Sequence, residues 1–441
     1  MSITIVNKNK KIGDRYAFIA VILFLIYSFY YSLLSGRNFI QLIIVGGSIF
    51  FGILSVIFTN NRFNIQNKFL MFMSGWLLMI VLFLFFRNWW DVTTTIKRFW
   101  AFFIVFCVCK NFNRLTGIYK AIIIIGFPHV IATFFFYIFP NLYPIMYKVF
   151  GKWVGGTRNG KYGYRAGISN HYSLNALYIT IVFLCCFAYT ITLYKKHNKK
   201  YILSGLITLL VFFSLFLTAK RAHLLFSLTA IILGMLIFTH NISAKKILFF
   251  TVILLTLCGI FLWAYQNIPE IKMTLQRFEN LDEDGNLKAR FGYWNTALQI
   301  FLKHPIIGIG WGGVGANTVY EMNAHNVYIQ LLAETGIIGF TIYMFTITTL
   351  GIILIRGCRI NIKKNCYDEL YFSSFAALLF YFFYILYSLT GNCLFDHTFN
   401  FFIFTIITTY YLTQPKVRKS TINVYCNFSD NELLQSLKLS I

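Results

Sequence analysis

Apolar runs of about twenty residues recur along this chain, and they leave it few ways to fold. A helix of that length rises about 30 Å, which matches the hydrocarbon core of a bilayer. Inside that core no water is present to satisfy backbone N–H and C=O groups, so each crossing segment must bond to itself, as an α-helix does. Twelve candidate spans follow: 16–34, 38–58, 69–86, 92–109, 117–139, 172–193, 201–219, 222–240, 247–264, 330–355, 370–389 and 395–413. The expected fold is all-α, a polytopic integral membrane protein of about 12 transmembrane helices, forming one integral membrane domain over residues 1–441. Composition agrees, because only 12% of residues are charged where a soluble domain carries about 25%. Lys97 and Arg98 inside the fourth span must snorkel or lie at the interface, and Pro128 should kink the fifth. Glu334 in the tenth moves its expected membrane entry toward Ile337.

The basic excess reads as topology rather than as nucleic-acid binding. Net charge is +25, from 39 Lys and Arg against 14 Asp and Glu, and the cations fall between the apolar runs. With both ends inside, 23 of the 39 basic residues lie on the inner face, the run KKHNKK (195–200) being the firmest anchor. Nine Cys show no metal or disulfide spacing. The N-terminal segment and the polar stretch 414–441 are expected to be cytoplasmic tails.

This topology turns three polar elements outward: the loop 140–171, the tight turn LTAKRAHLL (217–225) and a large extracytoplasmic loop, 265–326, carrying short amphipathic helices. At the turn, Lys220 and Arg221 either snorkel at the headgroups or bind an anion, for which the Arg fork suits phosphate oxygens. Arg290 opens an amphipathic stretch that includes Trp294 and ends at His304–Pro305. The glycines at 308, 310, 312 and 313 form either an ordinary loop ending or a place where backbone N–H groups approach an anion. His325 is either a structural residue at a membrane boundary or a base for a sugar hydroxyl, with Asn326 orienting it or meeting substrate. Glu334 complements a cation or favours a helix start. Arg158 and Arg165 lie among glycines and aromatics that stack on sugars or anchor at the interface. No Walker motif, Rossmann fingerprint, HExxH or nucleophile elbow occurs in the sequence.

Together these residues resemble the O-antigen ligase and polysaccharide polymerase family. The likeness is densest over 290–340: Arg290, Trp294, His304–Pro305, Gly308–Ile309–Gly310, Ala324–His325–Asn326, Tyr328 and AETGIIG from Ala333 to Gly339. LTAKRAHLL resembles the family's Arg-bearing turn, and RAGISNHYSLNAL from Arg165 its Gly–Asn stretch before a mid-chain span. Lys220 departs from the small residue that many relatives carry there.

The resemblance implies a metal-independent, cofactor-free glycosyltransferase at the outer face of the bacterial cytoplasmic membrane. Its donor would be an undecaprenyl-pyrophosphate-linked glycan. Its acceptor would be a lipid-linked repeat unit, for a capsule or exopolysaccharide polymerase, or lipid A–core, for a ligase of lipopolysaccharide biosynthesis. A flippase and a chain-length regulator would be partners. Arg221 and Arg290 would engage the pyrophosphate and His325 would activate the acceptor hydroxyl. Lys220, Arg158, Arg165, Asn326, Glu334, His304 and Trp294 would bind substrate. Polymerase is favoured over ligase by the LTAKR-type turn. A transporter for the same lipid-linked glycan stays open, although few charges lie inside the expected spans.

Overall fold

A computed structural model describes residues 2–34, 37–58, 92–109, 115–150, 163–238, 285–318, 322–363, 369–394 and 396–413. Among the described residues the regular structure is helical, as the all-α reading requires. The helices are α1 (Ser2–Leu34), α2 (Asn38–Phe58), α3 (Val92–Cys109), α4 (Leu115–Ile138) and the short α5 (Tyr143–Phe150). They continue as α6 (Tyr172–Lys195), α7 (Lys200–Leu217), α8 (Arg221–Phe238) and α9 (Gly285–Lys303). Last come α10 (Gly313–Asn317), α11 (Val327–Lys363), α12 (Glu369–Tyr387) and α13 (Thr398–Thr413). Seven of these are long and apolar enough to cross a membrane, and α8 and α13 are shorter apolar helices. The chain is an integral membrane protein. The expected spans 69–86 and 247–264 lie outside the described residues, as do 265–284 and 319–321 of the 265–326 loop and the 414–441 tail.

Helices α6 and α12 form the centre. In each, 78% of the apolar window is buried inside the protein, against 17% for α2, whose Phe39, Leu42, Ile43 and Phe50 face outward. Helix α12 packs on α4, α6, α8, α11 and α13. Small and aromatic residues fill that contact, including Phe375, Ala376, Phe380 and Phe383. Helix α4 is continuous through Pro128.

One break dominates the second half. Within α11, Gly336 adopts φ 62 and ψ −168, a region essentially reserved for glycine. The interruption frees peptide groups on both sides of it, and the glycine-rich segment after α9 bonds to them. Ile309 N–H donates to the Ala333 carbonyl at 3.1 Å and Gly310 N–H to the Glu334 carbonyl at 2.8 Å. In return, Ile337 N–H donates to the Pro305 carbonyl at 2.8 Å and Ile338 N–H to the Ile306 carbonyl at 3.3 Å. So Gly308 and Gly310 serve the backbone of α11: Gly310 bonds to it, and Gly308, at φ 67, would drive a Cβ into the Glu334 peptide. Broken helices persist at membrane depth only where such substitutes exist.

Replacing Gly336 by Ala should lower thermal stability in detergent by about 2 kcal/mol or more, since φ is positive and a Cβ would meet the Ile306 carbonyl. Gly46→Ala in α2, where a Cβ meets nothing within 4 Å, should be neutral or slightly stabilising. Equal melting temperatures for the two variants would contradict the pairing described here.

Candidate functional site

Five chain segments far apart in sequence meet at one end of the bundle: the 163–173 turn into α6, the α7–α8 turn, the start of α9, the 322–327 entry to α11, and the α12–α13 turn. Ser32 at the end of α1 donates to Asn170 Oδ1 at 3.0 Å, which brings the end of α1 to the same place. The Tyr31 and His397 rings lie 4.6 Å apart. Tyr387, closing α12, shares a hydrogen bond with Ser173 and sits in the field of Asp396 and Arg290.

The cations gather there. Lys220 Nζ lies 4.4 Å from the centre of the Tyr172 ring, and the Arg165 guanidinium carbon 5.8 Å from the same ring. Arg221 is the first residue of α8, so its charge adds to the positive end of that helix's dipole. Its position follows from a tight turn: Thr218 and Ala219 N–H donate to the Leu215 and Phe216 carbonyls, and Ala219 takes φ 55. Arg290 and Lys220 both act on His325. Positive side chains therefore come from three elements, with Arg221 next to Lys220 in the chain, an arrangement that favours anions.

His325 is held from every side. Its own backbone is left-handed, φ 52, which costs a non-glycine residue about 1–2 kcal/mol and persists only where the surroundings enforce it. Trp294 Nε1 donates to the Ala324 carbonyl at 2.7 Å. Ala324 N–H donates to Gln330 Oε1 at 3.3 Å. Gln330 Nε2 donates to Asn323 Oδ1 and to Glu334 Oε1, both at 3.1 Å. Glu334, 1% exposed, also accepts from Val314 N–H at 3.3 Å. Asn326 Oδ1 accepts from Tyr328 and Ile329 N–H at 3.0 and 3.2 Å, the pattern of a helix N-cap. Val327 N–H reaches across to the Ser388 carbonyl at 2.9 Å. Burial, with Arg290 and then Lys220 beside it, pushes the imidazole down to about 4, so the ring is neutral at physiological pH.

The expected residues thus divide by position. His325, Arg290, Lys220 and Arg165 are brought together, and Arg221 follows Lys220 at the head of α8. Trp294, Asn326 and Glu334 stand beneath them, and the polar atoms named above hold the His325 loop rather than point outward. His304 is exposed at the far end of α9, about 20 Å from Arg290 by helical rise, and does not join them. Arg158 lies outside the described residues. The Tyr172 platform and the turn bearing Asn392, Asp396 and His397 were not singled out from sequence. A polar TGN step between two apolar runs was the available signal for the second.

Comparison with known proteins falls on this assembly. Residues 206–344 match the family model described as O-antigen ligase. That segment belongs to the O-antigen ligase family. It carries Lys220, Arg221, Arg290 and His325, whereas Arg165, Tyr172 and Asn392 lie outside it. Over 189 residues the chain is also 22% identical to the ComP-specific O-oligosaccharyltransferase of Acinetobacter baylyi. That similarity takes in 40% of this chain and spans about a third (33%) of the relative's length.

A histidine titration followed by NMR should place the His325 midpoint near pH 4, and Lys220→Met should move it upward by removing a repelling charge. A midpoint at the ordinary value near 6.5 would show that neither burial nor these cations govern the ring.

Proposed function

We propose that this membrane protein transfers a glycan from undecaprenyl pyrophosphate to a sugar hydroxyl at the outer face of the bacterial cytoplasmic membrane. The observation that carries this is a neutral, backbone-constrained His325 beside Arg290 and Lys220, with Arg221 and Arg165 close by. The cations suit a pyrophosphate presented at headgroup depth. The neutral imidazole suits proton abstraction.

The chemistry then runs in one displacement. An acceptor hydroxyl gives its proton to a His325 ring nitrogen while its oxygen attacks the anomeric carbon of the donor's reducing-end sugar. The bond from that carbon to the pyrophosphate oxygen breaks, and undecaprenyl pyrophosphate leaves carrying the electron pair. Arg221, Arg290 and Lys220 offset the charge that develops on it. Arg165 with Tyr172 borders the donor side, and Arg158 is assigned there from the sequence pattern. Trp294, Asn326 and Glu334 position the base, and His304 lies at the membrane interface beyond the reacting groups.

For the acceptor we favour another lipid-linked repeat unit, giving a surface polysaccharide polymerase, on the likeness of the LTAKR turn to capsule and exopolysaccharide members. Ligation onto lipid A–core or another acceptor is the second reading, and it has the family description and the relative's name on its side. Transport of the same glycan fits less well, since the cations gather at one end of the helices instead of lining a path through them. A flippase would supply the donor and a chain-length regulator would set product size. Both termini are assigned to the cytoplasm, so a reporter fused after Gly285 should be active only on the extracytoplasmic side.

Membranes containing the protein and given lipid-linked repeat units alone should form a ladder of longer glycans. Product that forms only when lipid A–core is added would assign ligation instead. His325→Ala should lower kcat by about 10²–10⁴-fold, and Arg290→Ala by about 10²–10³-fold, in protein that inserts normally. Unchanged turnover in either would remove that residue from the mechanism. The acid limb of kcat should lie at higher pH than that of kcat/KM, because bound pyrophosphate favours the imidazolium.

A further inference from the structure

Asn392 lies in the α12–α13 turn, with its Nδ2 3.4 Å from His325 Nδ1. Its Oδ1 is buried and meets no donor. The turn itself is fixed. The Asn392 carbonyl accepts from Asp396 N–H at 2.9 Å, and Ser388, four residues earlier, accepts from Val327 N–H at the head of α11. Asp396 Oδ1 takes the Thr398 N–H at 2.8 Å. Asn392 and His325 are thus carried on two elements that are already bonded to each other.

A base at His325 needs one bare ring nitrogen aimed at the hydroxyl, and a neutral imidazole has only one. If Asn392 Nδ2 donates to Nδ1, the bare nitrogen is already occupied and Nε2 carries the ring proton. Such a ring cannot take a proton from substrate at either nitrogen. A half-turn of the amide removes both difficulties. Oδ1 then accepts the Nδ1–H and Nε2 is bare, while the amide nitrogen takes the buried position that the oxygen leaves.

We infer that Asn392 is the positioning residue of this centre: its amide oxygen holds the Nδ1–H of His325 so that Nε2 faces the acceptor hydroxyl. The inference rests on His325 being the base. Asn392 touches neither substrate nor the breaking bond. When the hydroxyl proton arrives on Nε2, the imidazolium keeps its Nδ1–H on the amide oxygen. Arg290 and Lys220 face the same ring, and a neutral acceptor orients it without drawing those cations from an anionic donor.

The full-length protein in membranes, supplied with lipid-linked repeat units, tests this with Asn392→Ala and Asn392→Asp. The alanine variant should lose about tenfold to hundredfold in kcat with KM little changed. Aspartate can only accept. It should restore most of the turnover and move the acid limb of kcat to higher pH, because a carboxylate favours the imidazolium. An alanine variant with full activity, or an inserted aspartate variant as inactive as alanine, overturns the inference. His325→Ala, run in parallel, separates the two claims. If it stays active, the base assignment fails and takes this inference with it. If it is inactive while aspartate gives no rescue, only the orientation fails. Should the Asn392 variants not insert, nitrogen-15 NMR of labelled histidine in the unaltered protein decides, with a His325→Gln spectrum for assignment. A proton on Nδ1 at neutral pH is the expected result, and a proton on Nε2 overturns it.

Discussion

The site depends on backbone hydrogen bonds that replace those lost at Gly336. A helix interrupted near a bilayer leaves donors and acceptors without water, and each one left unmade costs several kcal/mol. The 305–310 segment meets that demand through four backbone hydrogen bonds to 333–338. The pairing joins the end of α9 to the first turns of α11. Because α9 is one continuous helix, it also sets where Arg290 stands relative to His325.

Strain and support are distributed together around this arrangement. Two non-glycine residues with left-handed backbone, Ala219 and His325, sit immediately before or within the cationic cluster. Each lies at the head of a helix whose first residues act in the site. The left-handed residue lets the chain turn sharply out of one element and enter the next with its functional side chain at the helix end. Beneath His325, the linked Gln330, Asn323 and Glu334 side chains, with the Trp294 indole, use polar atoms to hold a backbone rather than a ligand. A loop on such a footing keeps its geometry without a ligand.

Much of this was legible from the chain alone. Length and hydropathy locate helices because the bilayer admits so few alternatives, and α1, α2, α4, α6, α7, α11 and α12 lie where the apolar runs predict. Arg221, Arg290 and His325 stood out as polar residues at helix heads, and the structure brings Arg290 and Lys220, the neighbour of Arg221, to His325. Roles were harder to read than positions. The glycines at 308–313 read as a loop ending or an anion cradle, while Gly308 and Gly310 meet a helix break more than twenty residues away, which no local pattern reveals. Asn326 and Glu334 were noticed as polar neighbours of His325, while their hydrogen bonds turn them inward. Tyr172 and Asn392 depend on the packing of α6, α8 and α12, and helix order in a bundle is not encoded in any single segment.

The contact between the α12–α13 turn and the head of α11 has a consequence for biosynthesis. A ribosome delivers this chain from its N-terminus, and the segment shared with the O-antigen ligase family is complete at residue 344. The carbonyl of Ser388 and the amide of Asn392 emerge only later, with the last apolar helices. Until that hairpin enters the bundle, the left-handed histidine lacks one of its restraints. The geometry of the His325 loop is therefore completed only with the final step of membrane integration.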